Sequence, residues 1–78
     1  MRKKVRRLIV AFYTTHDAMA FEERCLEAGE EGRLIPLPKE ISAGCGLAWS
    51  APPGTDKKIG ALLELSGITP QLMRELDI

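Results

Sequence analysis

The sequence predicts an α+β fold, a two-layer sandwich with both helices on one face of a small antiparallel sheet, and three observations carry that expectation. A β-rich run, Val5 to Tyr13, opens the chain. Two stretches with apolar residues at helical spacing follow, one after Thr14 and one after Thr55, and each ends at a glycine. Between them lie two short apolar segments bounded by proline and glycine, which is the signature of strands.

Seventy-eight residues make one domain, close to the smallest size that folds without metals or disulfides. With 45% hydrophobic and 28% charged residues the chain reads as globular rather than disordered. Eleven basic residues balance eleven acidic ones, so no overall field favours nucleic acid. Five of the basic residues, Arg2, Lys3, Lys4, Arg6 and Arg7, crowd the start, and residues 1–4 are expected to form a frayed basic arm. The six apolar residues from Leu8 to Tyr13 are too few for an export signal or a membrane span. A cytoplasmic location follows as the expectation, with both cysteines as free thiols. Two cysteines are also too few for a structural zinc site, and no ligand spacing supports another metal or a cofactor.

Val5 to Tyr13 has an unbroken apolar centre, so it is placed in the middle of the sheet with both faces buried. Thr14 or Thr15 caps the first helix, Asp17 completing a capping box with Thr14, and the helix runs to about Ala28 with Gly29 as its stop. Ala18, Phe21, Cys25 and Ala28 form its apolar stripe with Met19 and Leu26 beside them, while Glu22, Glu23 and Glu27 face water. Arg33 to Pro38 reads as an edge strand because Pro36 cannot donate to a central ladder. Leu47 to Ala51 is a third strand, with Trp49 in the core. Thr55 or Asp56 caps the second helix, whose apolar face takes Ile59, Leu62, Leu63 and Leu65, and Gly67 ends it. Gly60 inside that helix suggests close packing on the sheet. Ile68 to Ile78 fits either a helix or a strand, and the balance tips to a strand. The order β-α-β-β-α(-β) is that of a ferredoxin-like sandwich; a terminal helix would leave a three-stranded version.

Periodicity separates the two thiols. Cys25 lies on an apolar stripe and behaves as a small hydrophobe. Cys45 sits in Ile41-Ser42-Ala43-Gly44-Cys45-Gly46-Leu47-Ala48, where flanking glycines remove the Cβ atoms that would shield a sulfur. A right-handed crossover makes the first two strands parallel, so this loop is expected at the exit of the first strand, near Thr15, His16 and Asp17. Backbone N–H groups of the loop and the helix start, with His16, would then favour an anion on sulfur. Ser42, Gly44 and Gly46 would shape the loop. Arg33 would either hold an anion or pair with a glutamate of the first helix. No classical enzyme constellation appears, and Lys57 and Lys58 are expected at the opposite end of the sheet.

Thr14-Thr15-His16-Asp17-Ala18-Met19, Gly32 to Pro38 and Ile41 to Ala48 together resemble a small bacterial family of selenium/sulfur carrier-like proteins. The resemblance spans about Val5 to Gly67. It implies a cytoplasmic carrier in which Cys45 holds sulfur or selenium as a persulfide or selenosulfide. A donor such as a cysteine desulfurase, and an acceptor protein, are the implied partners. Cys45 lacks the Cys-Pro-x-Pro setting of established sulfur-relay carriers, so their mechanism does not transfer by motif. The alternative is a small interaction or regulatory module without thiol chemistry. An exposed edge strand could also pair two chains as a homodimer; neither membrane nor nucleic-acid binding is expected.

Overall fold

A computed structural model describes residues 3–42 and 45–78. The elements run β1 (Arg6–Ala11), α1 (Thr15–Ala28), β2 (Arg33–Pro36), β3 (Leu47–Ala51), α2 (Asp56–Ser66) and β4 (Leu72–Asp77). The four strands form one sheet in the order β2-β3-β1-β4, and every neighbouring pair is antiparallel. The ambiguous last segment is therefore a strand: its alternating apolar residues find a partner ladder along β1, and tertiary pairing overrides the helix propensity of Leu72 to Leu76.

β1 lies inside the sheet, and its alternating side chains feed two separate clusters. Leu8, Val10 and Phe12 point to the helix side, where they meet Ala18, Phe21 and Cys25 of α1, Ile59 and Leu63 of α2, and Trp49 and Ala51 of β3. Phe21 stands edge-on to Trp49, with ring centroids 5.9 Å apart. Ile9 and Ala11 point the other way, to Ala48 and Ile41. Each buried aliphatic or aromatic side chain of this kind contributes about 1.5–3 kcal/mol through removal from water.

The helix ends follow their local chemistry. The Thr14 side chain accepts the Asp17 amide hydrogen at 3.1 Å, and Gly29 takes a left-handed conformation at φ 71° that a side chain would disfavour. At α2 Thr55 is the capping position, but its hydroxyl donates back to Pro52 O at 2.7 Å and makes no cap bond. Four apolar residues expected inside are out in solvent. Met19, Leu26 and Ala28 are exposed on α1, and Leu65 is 84% exposed on α2, because two residues past Leu63 is about 200° round a helix.

β2 is an edge strand, as Pro36 requires. The amide of Leu37 donates to Gly46 O at 2.9 Å, so by alternation the N–H groups at positions 33 and 35 face β3 while positions 34 and 36 face outward. Pro36 thus sits where no inward bond is lost.

Gly32 and Gly60 give opposite expectations. At Gly32, φ is 147°, and a Cβ would lie 2.6 Å from Ser50 O and 2.8 Å from the Trp49 ring. At Gly60 the nearest atom to an added Cβ is Met73 Cε at 3.9 Å, an ordinary contact, so close packing does not explain that glycine. Gly32→Ala should destabilise the fold by about 2 kcal/mol or more. Gly60→Ala should stabilise it by about 0.5–1 kcal/mol. Urea denaturation followed by Trp49 fluorescence checks both; a neutral Gly32→Ala would contradict the observed close approach.

Candidate functional site: the β2–β3 hairpin and its thiol

The hairpin that carries Cys45 is positioned by register. Ala11 at the end of β1 pairs with Ala48, and Pro36 at the end of β2 pairs with Leu47, so the loop between them emerges at the sheet end where β1 leaves for α1. Ile41 anchors the loop, only 5% exposed against the helix-free face, and its amide donates to Pro38 O at 3.0 Å. Gly46 takes φ 78° with nothing within 4 Å of an added Cβ, so its role is conformational.

Cys45 is half-buried rather than openly displayed, and it packs against the helix-side cluster that contains Phe12, Phe21 and Trp49. Its sulfur folds back onto the next strand: Sγ donates to Leu47 O at 3.3 Å and accepts the Leu47 amide hydrogen at 3.4 Å. No spacing in the sequence reveals that contact, because it depends on the local backbone path from Cys45 to Leu47.

The other residues expected around Cys45 are scattered. Thr15 and His16 belong to α1 at the same sheet end, but the His16 side chain is 90% exposed with Nδ1 3.9 Å from Asp17 Oδ1, and neither residue bonds to Cys45. Arg33 pairs with Ser50, three residues along β3 from Leu47, so about 10 Å of strand separates it from the loop. It also points to the face opposite α1 and makes no ion pair with a glutamate of that helix. Ser42 is exposed, and Gly44, with Ala43, lies outside the described residues. Lys58 pairs with Glu30 at 3.6 Å, bracing the start of α2 against the segment after α1. Among the described residues no group of three or more His, Cys, Asp or Glu side chains is arranged to hold a metal. Among the same described residues no helix is long and apolar enough to cross a membrane.

One polar contact escaped the sequence reading. Arg7 Nε donates to Ser50 Oγ at 2.9 Å and its Nη2 to Ser50 O at 3.3 Å, fixing a guanidinium on the helix-free face. Two-residue alternation places Arg7 with Ile9 and Ala11, but the Ser50 partner needs the β1–β3 register.

The second thiol is of a different kind. Cys25 is fully buried, and burial pushes its pKa from 9.0 up to about 12, with the Glu30 carboxylate adding to the rise. In native protein at about pH 8, iodoacetamide should therefore label Cys45 and leave Cys25 untouched until denaturant is added. Because the folded pKa of Cys25 lies above the unfolded one, its stabilising effect is complete below pH 9.0 and falls as pH rises toward 12. The loss is up to about 1.4 kcal/mol per pH unit. The stability gap between wild type and Cys25→Ala, measured by urea denaturation, should shrink across that window; a constant gap would contradict the assignment.

Comparison with the curated proteins and with the solved structures found no match. A family model does match: the one described as "Putative Se/S carrier protein-like" covers residues 7–73, a span that contains both helices, β2, β3, the Cys45 hairpin and β1 from Arg7 onward, and that ends two residues into β4. The chain therefore belongs to that Se/S carrier protein-like family.

Proposed function

We propose that the protein is a sulfur or selenium carrier that holds its cargo on Cys45. One observation carries the reading within this family: of the two cysteines in the chain, Cys25 is sealed in the core and Cys45 reaches solvent from a hairpin loop. The loading step is a thiol exchange. The Cys45 thiolate attacks the terminal sulfur of a donor protein's persulfide, a bond forms from Cys45 Sγ to that sulfur, and the donor's sulfur–sulfur bond breaks to leave the donor thiolate. No external oxidant or reductant is consumed. In the selenium version the thiolate attacks the terminal selenium of a donor's sulfur–selenium bond, forming a sulfur–selenium bond at Cys45 Sγ while the donor's bond breaks to leave its thiolate.

The two bonds to Leu47 bear on this step differently. Sγ gives up its proton on loading, so the bond to Leu47 O at 3.3 Å is lost, while the Leu47 amide can still donate to the substituted sulfur. Loading thus loosens one of the two restraints that fold the side chain against the sheet. Packing against the aromatic cluster on one side limits approach by water and oxidants, which suits a sulfur that must not climb the oxidation ladder. A cysteine desulfurase is a fitting donor and a thiol-bearing protein a fitting acceptor. What supports naming the scaffold ferredoxin-like is the element order β-α-β-β-α-β together with central β1 and β3 flanked by β4 and β2.

Incubation with a cysteine desulfurase and cysteine, read by intact mass, should add one sulfur atom to the wild type and none to Cys45→Ser. The unfolding free energy of Cys45→Ser in urea should match the wild type to within about 0.5 kcal/mol, since a hydroxyl can make the same two contacts with Leu47. Sulfur found on Cys25, or no uptake by a normally folded wild type, would rule the carrier out and leave the interaction module.

A further inference from the structure

The helix-free face of the sheet carries a groove of about 940 Å³ at its β2 side, running from the start of β1 across Ser50 to the beginning of the β2–β3 hairpin. Its charges are one-sided. Lys3, Lys4, Arg7, Arg33 and Lys39 line it against two carboxylates, Glu31 and Glu40. Among the described residues none of these five cations is in an ion pair. The acidic residues that balance them in the sequence lie largely elsewhere, with Asp17, Glu22, Glu23 and Glu27 on α1.

Arg7 is the most telling member. It is half-buried, and its two bonds to Ser50 hold the guanidinium in place, yet no carboxylate neutralises it. A partly desolvated, fixed cation with spare N–H donors is poised for an anion from outside. Around it the groove is aliphatic: Ile35, Pro36, Pro38, Val5 and Ile78 contribute, and Val5 is 56% exposed.

We propose that this groove docks an acidic segment of a partner protein, one that mixes carboxylate and aliphatic side chains. Carboxylates meet Arg7, Arg33 and Lys39 while the aliphatic side chains cover Ile35 and Ile78. A single-stranded nucleic acid fits less well, because such surfaces stack bases on aromatic side chains and no aromatic residue lines this groove. Phe12, Phe21 and Trp49 all face the helices instead. The groove shares Pro36, Pro38, Lys39 and Glu40 with the hairpin that carries Cys45, although the sulfur packs on the opposite face of the sheet. A partner held there lies beside the thiol loop without covering it.

The test needs no sulfur transfer, so its outcome is independent of the carrier reading. Isotope-labelled full-length protein is titrated with a synthetic peptide of about eight alternating Glu and Leu residues, long enough to cross four strands spaced about 4.8 Å apart. The same peptide with Gln for Glu, and a single-stranded RNA, are the comparisons. The acidic peptide should shift the amides of Arg7, Arg33, Ile35, Ser50 and Ile78 and leave α1 unchanged. Binding should weaken as salt is raised and fall about tenfold or more in Arg33→Glu/Lys39→Glu, a pair of exposed positions whose reversal leaves the core intact. Absence of saturable shifts at about millimolar peptide, equal binding of the Gln peptide, shifts confined to the helices, or preferred binding of the RNA would each overturn the proposal.

Discussion

From Leu8 to Ala11 β1 is buried on both faces and hydrogen-bonded on both edges, and the rest of the molecule depends on that. Leu8 and Val10, with Phe12 just beyond, build the layer under the helices, and Ile9 and Ala11 build the smaller cluster on the other side. A polar substitution at any of these positions would strand a group in one cluster or the other, so the strand tolerates little change. Pairing to β3 on one side and β4 on the other then fixes where each connection leaves the sheet.

That placement decides the character of the two thiols. Cys25 is drawn into the helix-side core with Phe21, four residues away on one helical stripe, and loses its acidity to burial. Cys45 comes after the hairpin turns, where Ile41 pins one limb of the loop to the far face and Leu47 holds the sulfur from the other. The helix layer closes the larger core, and the open face combines the smaller cluster around Ile9, Ala11 and Ala48 with Arg7 and Arg33 beside it.

Much of this was legible in the residues. Apolar runs, caps and glycine stops located both helices and the first three strands, because those features act over a few residues and need no partner, whereas the last strand was open between strand and helix until its ladder with β1 decided it. Pro36 announced an edge, and helical spacing told Cys25 from Cys45. What depended on neighbours distant in sequence was not legible. Met19, Leu26 and Leu65 are apolar but lie off the buried stripe, and nothing local says how wide that stripe is. Arg33 was expected to hold an anion or to pair with a glutamate of α1, and the β2–β3 register, which turns it to the face opposite α1, leaves it without that glutamate. The Arg7–Ser50 contact links positions brought together only by the sheet.

Pro36 has a consequence beyond its own strand. Of the outward-facing positions 34 and 36 on β2, only Leu34 retains an N–H, so a second chain laid along this edge would find an interrupted row of donors. The hairpin bearing Cys45 is therefore poorly suited to adding a strand from another protein. Encounters at that end of the molecule must rely on side chains and loop shape, which release more readily than a continuous backbone ladder.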